Sequence, residues 1–203
     1  SQLFGTDLET SSELEQGAIW VGDGSILWLP VPSLSHGVVW ISCPMLLRRW
    51  ARFYGKALDI PAENSTNLAA SSPVYLKDAI FKAGDLQTCE NWKKFIPDHP
   101  EAKGISTILI LSDSHCATLI QMSLWRQVKV KLDEHKSVSG GFRYEEAIPP
   151  DTLMYFPWGI TAQARNRSDN AHSEFHGLMQ TQNVLQIGGQ ESLGRGFVQN
   201  WQP

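Results

Sequence analysis

Apolar and polar residues alternate in short blocks along this chain, and the blocks are set off by glycine, proline and acidic residues. Residues 5–17 (GTDLETSSELEQG) are polar and acidic, which predicts an exposed connection. Ala18–Val21 and Ser25–Val31 predict two strands joined by Gly22-Asp23-Gly24, a turn sequence. Pro30 lies inside the second and places it at an edge or bulge. A loop over Pro32–Gly37 then leads to a third apolar run, Val38–Ser42. In CPMLLRRWARFYG the spacing turns helical: Leu46, Leu47, Trp50, Phe53 and Tyr54 share a face. Pro44 suits the first turn, Ser42 or Cys43 the cap, and Gly55 the end.

Residues 56–105 lose this order. SSP at 71–73, KAGD at 82–85 and IPDHPEAKG at 96–104 are breakers, and the segment reads as an irregular insertion with short elements. Beyond it, Ile105–Leu111 predicts a strand. A helix capped by Ser112 or Asp113 follows to about Trp125, with Cys116, Leu119, Ile120 and Leu124 on one side. Arg126–Leu132 alternates, Ser139-Gly140-Gly141 turns the chain, and FRYEEAI alternates again. Thr152–Ala164 predicts a strand interrupted by Pro157. Ser168 or Asn170 caps a helix carrying Ala171, Phe175, Leu178 and Met179, and Val184–Ile187 is a short last strand. Strand, helix, strand, strand, helix, strand is the order of a ferredoxin-like split βαβ unit, so the fold class is α+β. That fold serves many unrelated functions, so function has to be argued from the site.

Composition narrows this picture. At 203 residues, 42% hydrophobic and 19% charged, the chain can build one domain with a substantial core. The expected organisation is a single domain over 1–203 with the insertion at 56–105. Eight tryptophans imply a bulky core or flat stacking surfaces. A net charge of −4 counts against capture of polyanions by overall attraction, but leaves room for a local basic groove. Cys43, Cys89 and Cys116 are odd in number and lack C-x-x-C spacing, which argues against a disulfide framework and fits a cytoplasmic location. No apolar run approaches a membrane span of about 20 residues, so no membrane partner is expected.

The most unusual stretch is IGGQESLGRGF, Ile187–Phe197. Gly189 and Gly194 have the glycine spacing of a P-loop. Arg195 stands in the place of its lysine, Gly196 in the place of its hydroxyl residue, and the few residues beyond leave no room for its helix. Two readings remain on these residues alone. One is a tight glycine turn before a last strand. The other is a loop that brings backbone N–H groups against a phosphate, with Arg195 adding charge.

Five stretches in order (LFGTD, GAIWVGDGSILWLPVPSL, VWISCPMLLRRW, GGFRYEEAIPPDTLMY and LQIGGQESLGRGFV) resemble the fourth-subunit family of the type III-B, or Cmr, CRISPR effector complex. This family is a branch of the RAMP superfamily. The resemblance runs from about Leu3 to Val198 and weakens across the insertion. It implies a ferredoxin-like, RRM-like RAMP core with a thumb-like projection. It implies a protein that binds guide RNA (crRNA), stacks with copies of itself and other Cmr subunits, engages target RNA in antiviral defence, and as a family cleaves that target with a divalent metal. By the same resemblance Gly188, Gly189, Gly194 and Gly196 let main-chain amides reach phosphates, and Arg195 pairs with one. The family loop after LPV usually carries basic residues; here Ser33 and His36 stand in that region, with Pro32 and Ser35. The family's cleavage aspartate lies upstream of its LFG segment. This sequence opens at that segment, so the catalytic residues are unknown, and the first strand and helix of the family core are expected to be absent. Asp23 matches a later, structural turn. No cofactor is visible in the residues themselves.

Rival chemistries are thinner. A catalytically silent RAMP scaffold would share the binding residues. A small zinc hydrolase could use His172 and His176, four apart in HSEFH, but Glu174 is misplaced for H-E-x-x-H, and a third ligand such as His99, His115 or Cys116 has no spacing signal. Glu145 and Glu146 are strand neighbours and face opposite sides, which suits structural roles. Cys89 and Cys116 lack a nucleophile context. Arg48, Arg49 and Arg52 lie off the helix's apolar face, as solvated charges or as an RNA-facing row.

Overall fold

A computed structural model describes residues 3–5, 16–55, 57–69, 71–164 and 170–202. Asp7, most of the acidic 5–17 stretch and the candidate cap Ser168 lie outside the described residues. In chain order the strands are β1 (Ile19–Val21), β2 (Ser25–Ser33), β3 (Gly37–Ser42), β4 (Ser65–Thr66), β5 (Val74–Tyr75), β6 (Ile80–Phe81), β7 (Gln87–Thr88), β8 (Ile108–Ile110), β9 (Trp125–Lys129), β10 (Arg143–Ala147), β11 (Leu153–Tyr155), β12 (Trp158–Ile160), β13 (Val184–Gln186) and β14 (Phe197–Gln199). The α-helices are α1 (Pro44–Tyr54), α2 (Asp113–Ser123) and α3 (Asn170–Thr181). The chain gathers into two compact units, Ser25–Tyr155 and Ser1–Gly24 with Phe156–Pro203.

The larger unit is built on a six-stranded sheet in the order β11-β2-β3-β8-β4-β7. Side chains alternate across it. Leu29, Val31, Val39, Ile41, Leu109 and Leu111 enter one core with Leu46, Cys116 and Leu119. Leu27, Trp28, Ile108 and Ile110 enter the other with Leu47, Trp50 and Phe95. A strand covered on both faces reads as an unbroken apolar run, which is why Ile105–Leu111 carries no alternation. Trp28 is fully buried, and its indole N–H donates to the Phe95 carbonyl at 2.9 Å. Segment 56–105 is irregular, as its breakers predict, yet it completes this sheet. β4 lies between β8 and β7, the Thr66 hydroxyl donates to the Ile108 carbonyl at 2.6 Å, and Asn67 bonds the main chain at Ser106 and Ile108.

One pairing differs from the sequence expectation. β1 and β2 are not a hairpin: β1 pairs antiparallel with β12, while β2 pairs with β3 and β11. The Thr152–Ala164 strand is two strands in different units, broken at Pro157, which cannot donate to a ladder. The strands flanking Ser139-Gly140-Gly141, β9 and β10, pair only with each other, in register from Arg143 opposite Lys129 to Ala147 opposite Trp125. Helix α1 buries Leu46, Leu47, Trp50 and Ala51, whereas Phe53 and Tyr54, expected on that face, are exposed.

The smaller unit packs α3 through Ala171, Phe175 and Met179 against Leu3, Ile19 and Trp158. The Trp20 indole lies directly on Gly159, where a Cβ would come 2.7 Å from its nitrogen and displace the ring. In the same unit β13 and β14 form an antiparallel hairpin, with Gln186 opposite Phe197. The architecture is α+β, with helices and sheet around a RAMP core.

Candidate nucleic-acid interface

The glycine stretch is the connection of the β13–β14 hairpin. Gly188, Gly194 and Gly196 have φ of 85°, 73° and 76°, in the left-handed region that side chains disfavour. Gly189 does not. Gln190 also has a positive φ, 69°, without being glycine. A single 3-10 turn, Glu191–Leu193, lies between them. It is tied by Leu193 N–H to the Gln190 carbonyl at 2.9 Å and Gly194 N–H to the Glu191 carbonyl at 2.8 Å. At the neck, Ile187 N–H donates to the Gly196 carbonyl at 2.7 Å. A Cβ on Gly196 would run into the Ile187 carbonyl oxygen, so close approach and positive φ both demand glycine there.

This turn is exposed at Gly188, Gly189 and Glu191–Gly194. Among the described residues the main-chain amides of Gly188 and Gly189 find no acceptor. Arg195 is half-buried, and its guanidinium donates to the Gln190 side-chain carbonyl at 3.2 Å, which fixes the cation at the base of the turn. The arrangement offers donors and one oriented positive charge to an anion.

Ser33 and His36 sit in the larger unit, at the β2–β3 turn. Ser33 is only 8% exposed, and its hydroxyl donates to the Tyr75 carbonyl at 2.8 Å. Ser35 accepts from Tyr75 N–H at 3.2 Å and bonds His36 Nδ1 at 2.7 Å. The serines thus tie the turn to segment 74–76, and they present Leu34, 93% exposed, and the half-buried His36 outward. This contact brings in a residue missed in the sequence: Lys77, exposed, whose main-chain N–H donates to the Pro32 carbonyl at 3.2 Å. Lys77 joins the turn through its main chain from a neighbouring segment, and no local spacing announces it.

The rival constellations fall into place structurally. His172 and His176 are one turn apart on α3, with ring centroids 6.2 Å apart, and His172 lies against Trp158 at 4.9 Å. Among the described residues no three His, Cys, Asp or Glu side chains gather into a group that could hold a metal, and His172 and His176 have no third partner of that kind. Glu145 pairs with Lys129 at 2.8 Å and Glu146 with Arg126 at 2.7 Å, each across the β9–β10 ladder. All three cysteines are free and buried. Burial raises the Cys89 thiol above its ordinary value, and a hydrogen bond with Cys43 together with burial raises Cys116, the opposite of nucleophile activation.

The fold and these contacts define the class. The RAMP superfamily model matches residues 1–199, and the chain belongs to that superfamily. Within it, the chain is similar to the CRISPR system Cmr endoribonuclease Cmr4 of Pyrococcus furiosus, at 28% identity over 98% of this chain and 73% of that one. The Cmr4 likeness expected from the motifs therefore extends over almost the whole chain. Solved structures share the fold. A crystal structure of oligomeric Cmr4 from Pyrococcus furiosus superposes with a TM-score of 0.63 at 24% identity, covering 90% of this chain and 72% of that one. The cryo-EM structure of the type III-B Cmr-beta bound to cognate target RNA gives 0.73 at 18% identity, covering 98% and 73%.

Proposed function

We propose that this chain is a backbone subunit of a type III-B CRISPR ribonucleoprotein that acts in the cytoplasm in antiviral defence. It holds guide RNA by the sugar–phosphate backbone, stacks with copies of itself beside other Cmr subunits, and meets target RNA through the guide. Membership of the RAMP superfamily and similarity to Cmr4 over 98% of the chain support this reading. So do solved relatives described as an oligomer and as a complex bound to target RNA. No described helix is long and apolar enough to cross a membrane.

The observation that carries the proposal is the exposed turn at 188–196. Three glycines in it take the left-handed backbone, the amides of the exposed Gly188 and Gly189 have no acceptor among the described residues, and Arg195 is oriented by Gln190. Main-chain amides and a guanidinium recognise phosphate whatever the base, so they position a strand without reading it. Sequence is then read by guide–target pairing, and the protein needs no base-edge contacts. At the β2–β3 turn, the exposed Lys77 adds a cation beside Ser33 and His36, with Ser33 also fixing the turn's shape. For target cleavage with a divalent metal, which the family resemblance implies, no cluster of three His, Cys, Asp or Glu side chains is found among the described residues. Binding and stacking are the functions proposed for them.

Arg195→Ala tests the reading. We expect weaker binding for all guide sequences alike, and a fall of about 0.7 to 1 in the slope of log affinity against log salt. A loss confined to particular guide sequences would contradict backbone recognition.

A further inference from the structure

We infer that the exposed face of α1 is a second contact for single-stranded RNA, with Arg48, Arg49 and Arg52 taking phosphates and Phe53 stacking on a base. The inference rests on RNA being the ligand, and it adds a surface on another element, α1 of the larger unit. Helix α1 (PMLLRRWARFY) contains no acidic residue, although the chain as a whole carries −4. Leu46, Leu47, Trp50 and Ala51 turn inward, which leaves all three arginines exposed. Arg48 and Arg52 are one turn apart, and so are Arg49 and Phe53, so the four side chains form one patch.

A solvated helix face usually mixes signs at these spacings; here like charges repel along the helix, and ion pairing does not relieve them. The ion pairs among the described residues join Arg126 to Glu146, Lys129 to Glu145 and His135 to Glu134, none of them on α1. Arg52 in the last turn suits the helix dipole, but Arg48 and Arg49, in mid-helix, have no such reason to be there. Phe53 is 58% exposed in the middle of this charge, and its ring lies 6.1 Å from that of Tyr155. The Arg49 charge reaches the same tyrosine, opposing the burial that raises its hydroxyl. Guanidinium groups interleaved with exposed aromatic rings are the chemistry that holds single-stranded nucleic acid: forks for phosphates and a flat face for a base.

The test uses the full chain and a single-stranded RNA oligonucleotide, with affinity measured over a range of salt. The triple variant R48A/R49A/R52A should lower the salt slope by about 2, at roughly 0.7 for each of three lost phosphate contacts. The lysine variant R48K/R49K/R52K should restore most of that slope, which separates charge from a folding defect. Phe53→Ala should weaken binding about five-fold or more with the slope unchanged, because stacking carries no counterion release. If the triple variant leaves affinity and slope intact while Arg195→Ala still weakens binding, the α1 contact is wrong and the glycine-turn reading stands. If Arg195→Ala is silent and the triple variant weakens binding, the α1 contact stands and the glycine-turn reading fails. If the triple variant loses only self-association, the face holds an acidic protein surface and the inference is overturned.

Discussion

Gly196 and Gly188 share a left-handed backbone but differ in their surroundings, and the difference can be measured. A Cβ at Gly196 meets the Ile187 carbonyl, whereas one at Gly188 meets nothing within 4 Å. Gly188→Ala therefore carries only the conformational cost, about 1 to 2 kcal/mol. Gly196→Ala adds a clash with main chain that cannot yield without opening the hairpin neck. Amide exchange at Ile187, whose N–H is held by the Gly196 carbonyl, should accelerate far more in Gly196→Ala than in Gly188→Ala. Equal acceleration would show that close approach contributes nothing at 196. The glycine spacing was legible in the sequence. Which glycine is confined by a neighbour was not, because the Ile187 carbonyl reaches Gly196 only once β13 and β14 pair.

At the scale of elements, α1 shows where the sequence stops informing. Its extent, the proline at its start and Gly55 at its end were legible. Its cap was not. Cys43 occupies the N-cap without a side-chain bond to the helix's amides, and Asp113, at the start of α2, accepts instead from Met45 N–H at 2.9 Å. Asp113→Ala should destabilise the larger unit by about 1 kcal/mol, read as a lower urea midpoint with unchanged slope, and Ser112→Ala should leave α1's contribution intact. An unaffected midpoint in Asp113→Ala would remove the capping role. The same limit explains β1 and β2. Gly22-Asp23-Gly24 does separate two strands, but a breaker does not choose a strand's partner, and the strands leave it for different sheets. The Arg126–Leu132 and FRYEEAI alternations were legible as strands. Their pairing with each other alone, leaving Val128, Phe142 and Tyr144 exposed, was not.

For the molecule as a whole, charge and topology point in different directions, and the local chemistry decides between them. A body of −4 does not attract RNA from a distance, so the proposed function relies on short-range contacts, at the glycine turn, at Lys77 and at the α1 arginines. The family was legible because its motifs, LPVPSL, CPMLL, EEAIPPDTL and the glycine turn, keep their order across nearly the entire chain. The partnership of Lys77 with the β2–β3 turn was illegible because it joins residues from distant parts of the sequence. The most direct test is the structure of this chain bound to guide RNA. The account predicts the amides of Gly188 and Gly189 and the Arg195 guanidinium within hydrogen-bonding distance, about 3 Å, of backbone phosphate oxygens. A bound strand whose phosphates all lie elsewhere, with the turn left in solvent or packed against protein, would contradict it.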